Sequence, residues 1–346
     1  HAGGAFVQWA RPRGAHALLA GLEAREVGGS SEEEIVSGAG LTRVVAEGRQ
    51  RSAAAYLQDV WAVSPRWVVT AGARADLWRN RDRSESALSP RLAARYQARR
   101  ALALSGSAYG AFRAPTLNEL YRSFRVGNVL TEADPSLRAE RLRGVEAAAL
   151  LAPASALSAR LTAFWMEVDD TVANVTLSST PALVTRQRRN LGRIRSRGGE
   201  LEVETRPAAA WVLSGSWTVA DATVRAFPEA PALEGLRLAQ VPRHQVAVQG
   251  RYDGRRVRVS AQARWSSRQF EDDLNALELG PARNLDLRAA WRPAPRLEAY
   301  LALENALDSE QEVGRTPVVT LAPPRTLRAG LRLHMGRDPG TAVAHR

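Results

Sequence analysis

The sequence predicts an all-β protein: an antiparallel transmembrane β-barrel, an incomplete one of about fifteen strands with short periplasmic turns and long extracellular loops. Three observations predict it. Apolar and polar residues alternate with period two in run after run, which puts them on opposite faces of a strand. The connections between runs alternate strictly between short and long, as in an outer-membrane barrel. The polar face is rich in arginine, glutamate, serine and glutamine, as a water-filled lumen requires. Alternation alone also fits an apolar-in soluble sandwich. The sorting of the loops decides for the barrel.

Taken in order, the strands fall at about 3–11, 15–28, 53–64, 66–78, 89–98, 100–110, 140–152, 156–170, 192–205, 209–220, 242–252, 256–265, 283–292, 296–304 and 325–335. In 66–78, Trp67, Val69, Ala71, Ala73, Ala75 and Leu77 oppose Arg66, Thr70, Gly72, Arg74 and Asp76. In 256–265, Val257, Val259, Ala261, Ala263 and Trp265 oppose Arg256, Arg258, Ser260, Gln262 and Arg264, so the valines are expected to face lipid. The last run sets Leu327, Ala329, Leu331, Leu333 and Met335 against Arg328, Arg332 and His334. Proline and glycine mark tight turns at 11–14, 64–66, 152–155, 206–209, 252–255 and 292–296. The long connections are expected at 29–52, 79–88, 111–139, 171–191, 221–241, 266–282 and 305–323. Trp67, Trp78, Trp211, Tyr252, Trp265 and Trp291 sit near strand ends, where barrels place aromatic girdles. If the short turns are periplasmic, the strand count is odd. Antiparallel closure needs an even count, so strands preceding His1 are expected, together with an open seam between the first and last strands.

Composition removes other classes. The 346 residues are 45% hydrophobic and 24% charged, which is not a disordered chain. There is no cysteine, so disulfides and thiolate chemistry are excluded. The 48 basic residues are all arginine and the net charge is +12, yet no block of like charge marks a nucleic-acid partner. No apolar stretch is long enough for a transmembrane helix, which says nothing against barrel strands. The histidines at 1, 16, 244, 334 and 345 have no metal-ligand spacing. No phosphate-binding glycine loop or serine elbow appears, so no catalytic residue, metal or cofactor is expected.

The stretch GAFRAPTLNELYRSF at 110–124, followed by GNVLTEADPSLRAERLRGVEAAALL at 127–151, resembles TonB-dependent outer-membrane receptors. The matching residues are Phe112, Arg113, Ala114, Pro115, Glu119, Leu120 and Tyr121, then Asp134, Pro135, Leu137, Glu140, Gly144 and Glu146. Aspartate stands at 134 where the family usually has asparagine. RSRGGELEVE at 195–204, ENALDSEQEV at 304–313 and PRTLRAGLRL at 324–333 resemble later family segments in the same order. The resemblance implies residues 1–335 as barrel, with 336–346 as a tail. It implies uptake of a scarce, bulky ligand such as a siderophore–metal chelate or a cobalamin. It also implies a TonB complex reached through a plug domain that this sequence does not contain, and contact with outer-membrane lipid and lipopolysaccharide. No bond is made or broken. Rival readings are a passive porin-like barrel and a soluble β-rich carbohydrate-binding domain.

Residues 111–139 are expected to form a long extracellular connection. Pro115 holds Ala114 extended, and Asn118, Glu119 and Leu120 suit a short helical turn. Phe112, Tyr121 and Phe124 are candidates to pack that turn on the wall. Arg113, Tyr121, Arg122, Phe124, Arg125 and Asn128 are the candidate ligand-binding residues, because arginine forks suit carboxylate or phosphate and the aromatics anchor them. Loop packing with plug contact, and direct ligand contact, both remain open for them.

Overall fold

The computed structural model describes residues 1–37, 40–180 and 182–333. The chain is almost entirely strand. In order these are β1 (Ala2–Arg13), β2 (His16–Ser37), β3 (Gly40–Ser64), β4 (Trp67–Arg79), β5 (Ser84–Arg99) and β6 (Leu102–Arg113). A short helix α1 (Leu117–Tyr121) precedes the small strands β7 (Phe124–Val126) and β8 (Val129–Glu132). Then come β9 (Glu140–Ala154), β10 (Leu157–Ser179), β11 (Val184–Thr205), β12 (Trp211–Ala226), β13 (His244–Asp253) and β14 (Val257–Ser266). The rest are β15 (Gln269–Phe270), β16 (Glu278–Leu279), β17 (Ala282–Ala294), β18 (Leu297–Glu304), β19 (Glu312–Gly314), β20 (Thr320–Leu321) and β21 (Thr326–Leu333).

The main sheet has 17 strands, of which β7 and β8 form a side hairpin, leaving 15 in one antiparallel meander. Each long strand pairs with the next in sequence, so every connection is a hairpin or a loop that returns beside its own strand. The ladder is open. Among the described residues β1 pairs only with β2, and β21 only with β18. His334, Met335 and the tail lie outside the described residues.

Register separates the two faces, because directly paired residues share a side. Val257, Val259, Leu287 and Leu301 are exposed and lie on one side. Ser260, Gln262 and Arg264 lie on the other, around a concavity of about 540 Å³ with Asp286 and Arg288. This is the expected arrangement of an apolar outer wall and a polar lumen. The lumen side carries ion pairs and hydrogen bonds: Arg74 to Glu23 and Asp76, Tyr109 to Glu146, and Arg264 to Asp286. In lipid only a paired ladder satisfies the backbone, and the lumen water takes the polar side chains. A soluble sandwich would bury the valines instead.

Two expectations are corrected. Residues 29–52 and 171–191 are not loops for most of their length. β2 and β3 stay paired to Ser37 and Gly40, and β10 and β11 to Ser179 and Val184. These hairpins continue past the apolar band, where neither face meets lipid and the side chains need not alternate. Trp78 is not a girdle residue either. It is buried, and its indole Nε1 donates to Gln50 Oε1 at 3.0 Å. Trp67 and Trp211 do sit on the outer wall near the short turns, stacked or tilted on Tyr96 and Tyr252 at 4.5 and 5.1 Å.

Candidate functional site

The long connections gather at one end, and the segment 111–139 ties them together. The chain leaves β6 at Arg113 and turns at buried Pro115. Thr116 then caps α1 with a reciprocal box: its hydroxyl accepts from the Glu119 N–H, and the Glu119 carboxylate accepts from the Thr116 N–H at 2.7 Å. A five-residue helix cannot stand on its own hydrogen bonds. Burial holds it: Leu120, Leu137 and Trp78 form a small core, with Phe112, Ala114, Tyr121 and Val172 packed around it. Gly48 of β3 provides the floor, since a Cβ there would lie 2.5 Å from the Tyr121 ring.

After the helix, β7 and β8 form a hairpin through Gly127, whose φ of +60° suits glycine. β8 adds in parallel to the top of β11, Val129 opposite Val184. The tip reaches the last long connection, so that a Cβ on Gly127 would lie 2.7 Å from Pro317. The segment thus touches connections on both sides of the mouth.

The predicted site residues fall into two groups. Arg113 is held by carboxylates, its Nε donating to Glu140 at 2.7 Å and its Nη1 to Glu119 at 3.1 Å. Tyr121 packs in the core and donates its hydroxyl to Asp82 at 3.1 Å. Arg122, Phe124 and Arg125 come together at the mouth. Arg122 Nε donates to Glu33 at 2.8 Å, and its guanidinium lies 5.8 Å from the Phe124 ring centre. Arg125 is exposed and donates to the Gly127 carbonyl at 2.9 Å. The Asn128 carbonyl accepts from the Val184 N–H at 2.8 Å, fixing the hairpin to β11.

Sequence reasoning missed Arg188. Its guanidinium stands 5.3 Å from the Phe124 ring on β11, and its Nη1 donates to the carbonyls of Asn118 and Arg122. Phe124 is thus in contact with two arginines, an arrangement worth about 0.5–1 kcal/mol for each exposed cation–π pair. The signal was the adjacent Arg188–Arg189 pair in a stretch read as loop. Tyr121 and Glu119 are among the titrating groups displaced here. Burial raises the Tyr121 hydroxyl, and the hydrogen bond to Asp82 adds to it. Burial opposes ionisation of Glu119, but the Thr116 N–H and Arg113 outweigh it and hold the carboxyl below its ordinary value. Beside the segment a concavity of about 1050 Å³ is lined by Ser30, Glu47, Arg49, Gln50, Asn80 and Tyr121 among others. That volume suits a ligand of drug size or larger. No group of histidine or acidic residues that could hold a metal ion occurs among the described residues.

The model of the TonB dependent receptor-like β-barrel matches residues 6–306. The chain belongs to that family. Its fold is similar to the ferric yersiniabactin uptake receptor FyuA from Yersinia pestis, with a TM-score of 0.75 and 15% identity over 95% of this chain and 53% of that one. It is also similar to the copper transporter OprC, at TM-score 0.76 and 12% identity over 95% and 56% of the two chains. The siderophore receptor PiuA from Acinetobacter baumannii gives 0.75 and 13% over 96% and 56%. The chain therefore spans about half the length of these structures. No curated protein matches the sequence significantly. The family is one of outer-membrane transport receptors, and membership removes the soluble carbohydrate-binding reading.

Proposed function

We propose that this chain is the barrel wall and mouth of a receptor that imports a scarce, bulky metal chelate across the outer membrane. Transport is energised by the TonB complex through a plug domain. The observation that supports it is the Arg122–Phe124–Arg188 cluster standing at the mouth above a polar lumen wall. Guanidinium forks and an aromatic face suit an anionic chelate, which presents carboxylate or catecholate oxygens and flat rings. The similar structures named for ferric yersiniabactin uptake, copper transport and siderophore reception support the same class.

In this reading Arg122, Phe124, Arg125 and Arg188 meet the ligand. Arg113, Tyr121 and Asn128 hold the segment that presents them. The test is accumulation of labelled ferric chelates, copper and cobalamin in cells with and without the natural gene, before and after the proton gradient is collapsed. Uptake of one anionic chelate that needs both gene and gradient is expected. Gene-dependent uptake that continues unchanged without the gradient replaces the receptor by a passive porin-like barrel.

A further inference from the structure

The inner face of the wall carries a pattern that neither ligand capture nor lipid contact explains. Four aromatic side chains each lie directly opposite a glycine on the neighbouring strand. Tyr56 of β3 is paired with Gly21 of β2, and Tyr109 of β6 with Gly144 of β9. Phe164 of β10 is paired with Gly198 of β11, and Tyr300 of β18 with Gly330 of β21. Leu57, Val145, Leu201 and Leu301 are exposed and fall in the opposite phase, so all four rings face the lumen. Each ring occupies the place a side chain would take. A Cβ on Gly144 would lie 2.8 Å from the Tyr109 ring, one on Gly198 2.8 Å from the Phe164 ring, and one on Gly330 2.6 Å from the Tyr300 ring. A Cβ on Gly21 would overlap the Tyr56 ring.

Glycine weakens a strand, because it has the most freedom to lose and no side chain to pack. A ring laid over it restores packing and pins the pair. Neighbours hold three of the rings in place. The Tyr56 hydroxyl donates to Gln8 of β1 at 3.0 Å, and the Tyr109 hydroxyl donates to Glu146 at 2.6 Å. The Arg288 and Arg332 guanidinium groups stand 5.5 and 5.9 Å from the Tyr300 ring centre. Phe164 has no hydroxyl and makes the same pair, so the ring is the common element. Lipid alone does not supply the register. It bars a slip of one residue, which would turn the apolar side chains to the lumen. A slip of two keeps every side chain on its own face. On the outer wall such a slip changes little, since Ala108 would exchange Val145 for Ala147. On the lumen side it changes much. Slipped by two, Tyr109 would meet Leu142 or Glu146, and Tyr56 would meet Leu19 or Glu23. Phe164 would meet Ser196 or Glu200, and Tyr300 would meet Arg328 or Arg332. In every slipped pairing the ring lands where another side chain already stands.

We infer that the four aromatic–glycine pairs select the native register, while the wall assembles, from among the two-residue slips that lipid tolerates. They stand between β2 and β3, β6 and β9, β10 and β11, and β18 and β21, one near each end of the meander and two in its middle. The inference concerns assembly and not which chelate is imported, so failure of the uptake test leaves it standing.

The test uses the natural full-length receptor assembled in outer membranes, with cysteine pairs on the lipid-facing side as reporters of register. The chain has no cysteine of its own, and directly paired residues are close enough for a disulfide. Ala108→Cys with Val145→Cys reports the native register. Ala108→Cys with Ala147→Cys, or with Arg143→Cys, reports the two slips. Membranes are oxidised, and the ratio of slipped to native cross-link is measured on all molecules recovered, whether or not a heat-dependent gel shift shows them folded. The wild type and Tyr109→Phe, which keeps the ring, should give the native cross-link almost alone. Tyr109→Ala should raise the ratio by about threefold or more, the scale of one cross-strand pair. Should Tyr109→Ala not be recovered, Phe164→Ala is measured in the same way, with Ala163→Cys against Gly199→Cys for the native register and against Arg197→Cys for the slipped one. An unchanged ratio in Tyr109→Ala or, failing that, in Phe164→Ala overturns the inference. So does an equal rise in Tyr109→Phe, which would assign the effect to the hydrogen bond with Glu146 and not to the ring on the glycine.

Discussion

Two joints hold the long connections together, and they are built from different physics. The first is the segment 111–139, which reaches β2 through Arg122 and Glu33 and reaches β11 through Arg188. Its centre is apolar: Leu120 and Leu137 are fully buried against Trp78. The second is the connection between β14 and β17. It ties three neighbours with polar groups. Asp273 accepts from the Thr176 N–H and hydroxyl, Asn275 exchanges two hydrogen bonds with the Arg237 backbone, and Glu271 accepts from the N–H groups of Arg315 and Thr316. Its own turn is wound around buried Asp272, which accepts from the N–H groups of Ala276 and Leu277. Leu279 is its one deeply buried apolar side chain among the described residues. A joint with an apolar core can release and recapture polar ligands without coming apart. A joint of carboxylates on backbone N–H groups is directional, and each bond is an independent point of failure. The arginines proposed to meet the ligand are carried by the first joint, which fits the demand for a platform that keeps its shape while its polar surface exchanges partners.

The largest expected effect tests the apolar joint. Leu137→Ala removes a fully buried side chain and should cost about 2–5 kcal/mol locally. Hydrogen exchange should show 111–139 deprotected while 267–280 keeps its protection. Equal loss in both joints would mean they form one cooperative unit. Next comes Asp272→Ala, which leaves two backbone N–H groups without their acceptor and should cost about 1–3 kcal/mol. Here the expected pattern is reversed: 267–280 opens and 111–139 does not. A smaller effect tests the contact across the mouth. Gly127→Val puts a side chain at a φ of +60°, against Pro317 at 2.7 Å, and should cost about 1–2 kcal/mol from the backbone alone. Protease cleavage within 124–132 should rise, with chelate affinity falling as Phe124 loses its fixed place. Unchanged cleavage would show that the hairpin does not depend on its far contact.

Much of the barrel was legible in the sequence because lipid imposes its alternation on every strand that crosses it. The fifteen strands expected from period two are the fifteen of the meander. Legibility ends where lipid ends. The upper halves of β2, β3, β10 and β11 keep their ladder in water, where backbone pairing continues with no constraint on side-chain polarity. Trp78 shows a second limit. Its phase, opposite to Leu77, already placed it off the lipid face, but grouping aromatics by their nearness to strand ends ignored phase. The candidate site was half legible. Pro115, the capping turn and the aromatic anchors were visible as local chemistry. Arg188 was not, because its hydrogen-bond partners lie 66 to 70 residues away in sequence.

The smallest effect sharpens the comparison by asking how much of the apolar joint is electrostatic. Glu119 is the acid of the α1 cap, and its carboxyl is held below its ordinary value near 4.5. A carboxyl lowered in the folded state adds stability that is fully present above that ordinary value. The contribution is lost as pH falls through the folded value. Segment 111–139 should therefore keep its exchange protection from neutral pH down to about 4.5, then loosen below it. Glu119→Gln keeps an N3 side chain able to accept from the Thr116 N–H but removes the ion pair with Arg113. Because that pair is partly exposed, the cost at pH 7 should be only about 0.5–1 kcal/mol. The acid-dependent step should shrink in the variant, while the Leu120–Leu137–Trp78 core holds the segment in place at both pH values. If the variant loosens in acid as much as the wild type does, the step belongs to other carboxylates of the joint, with Glu140 and Glu33 the next to substitute.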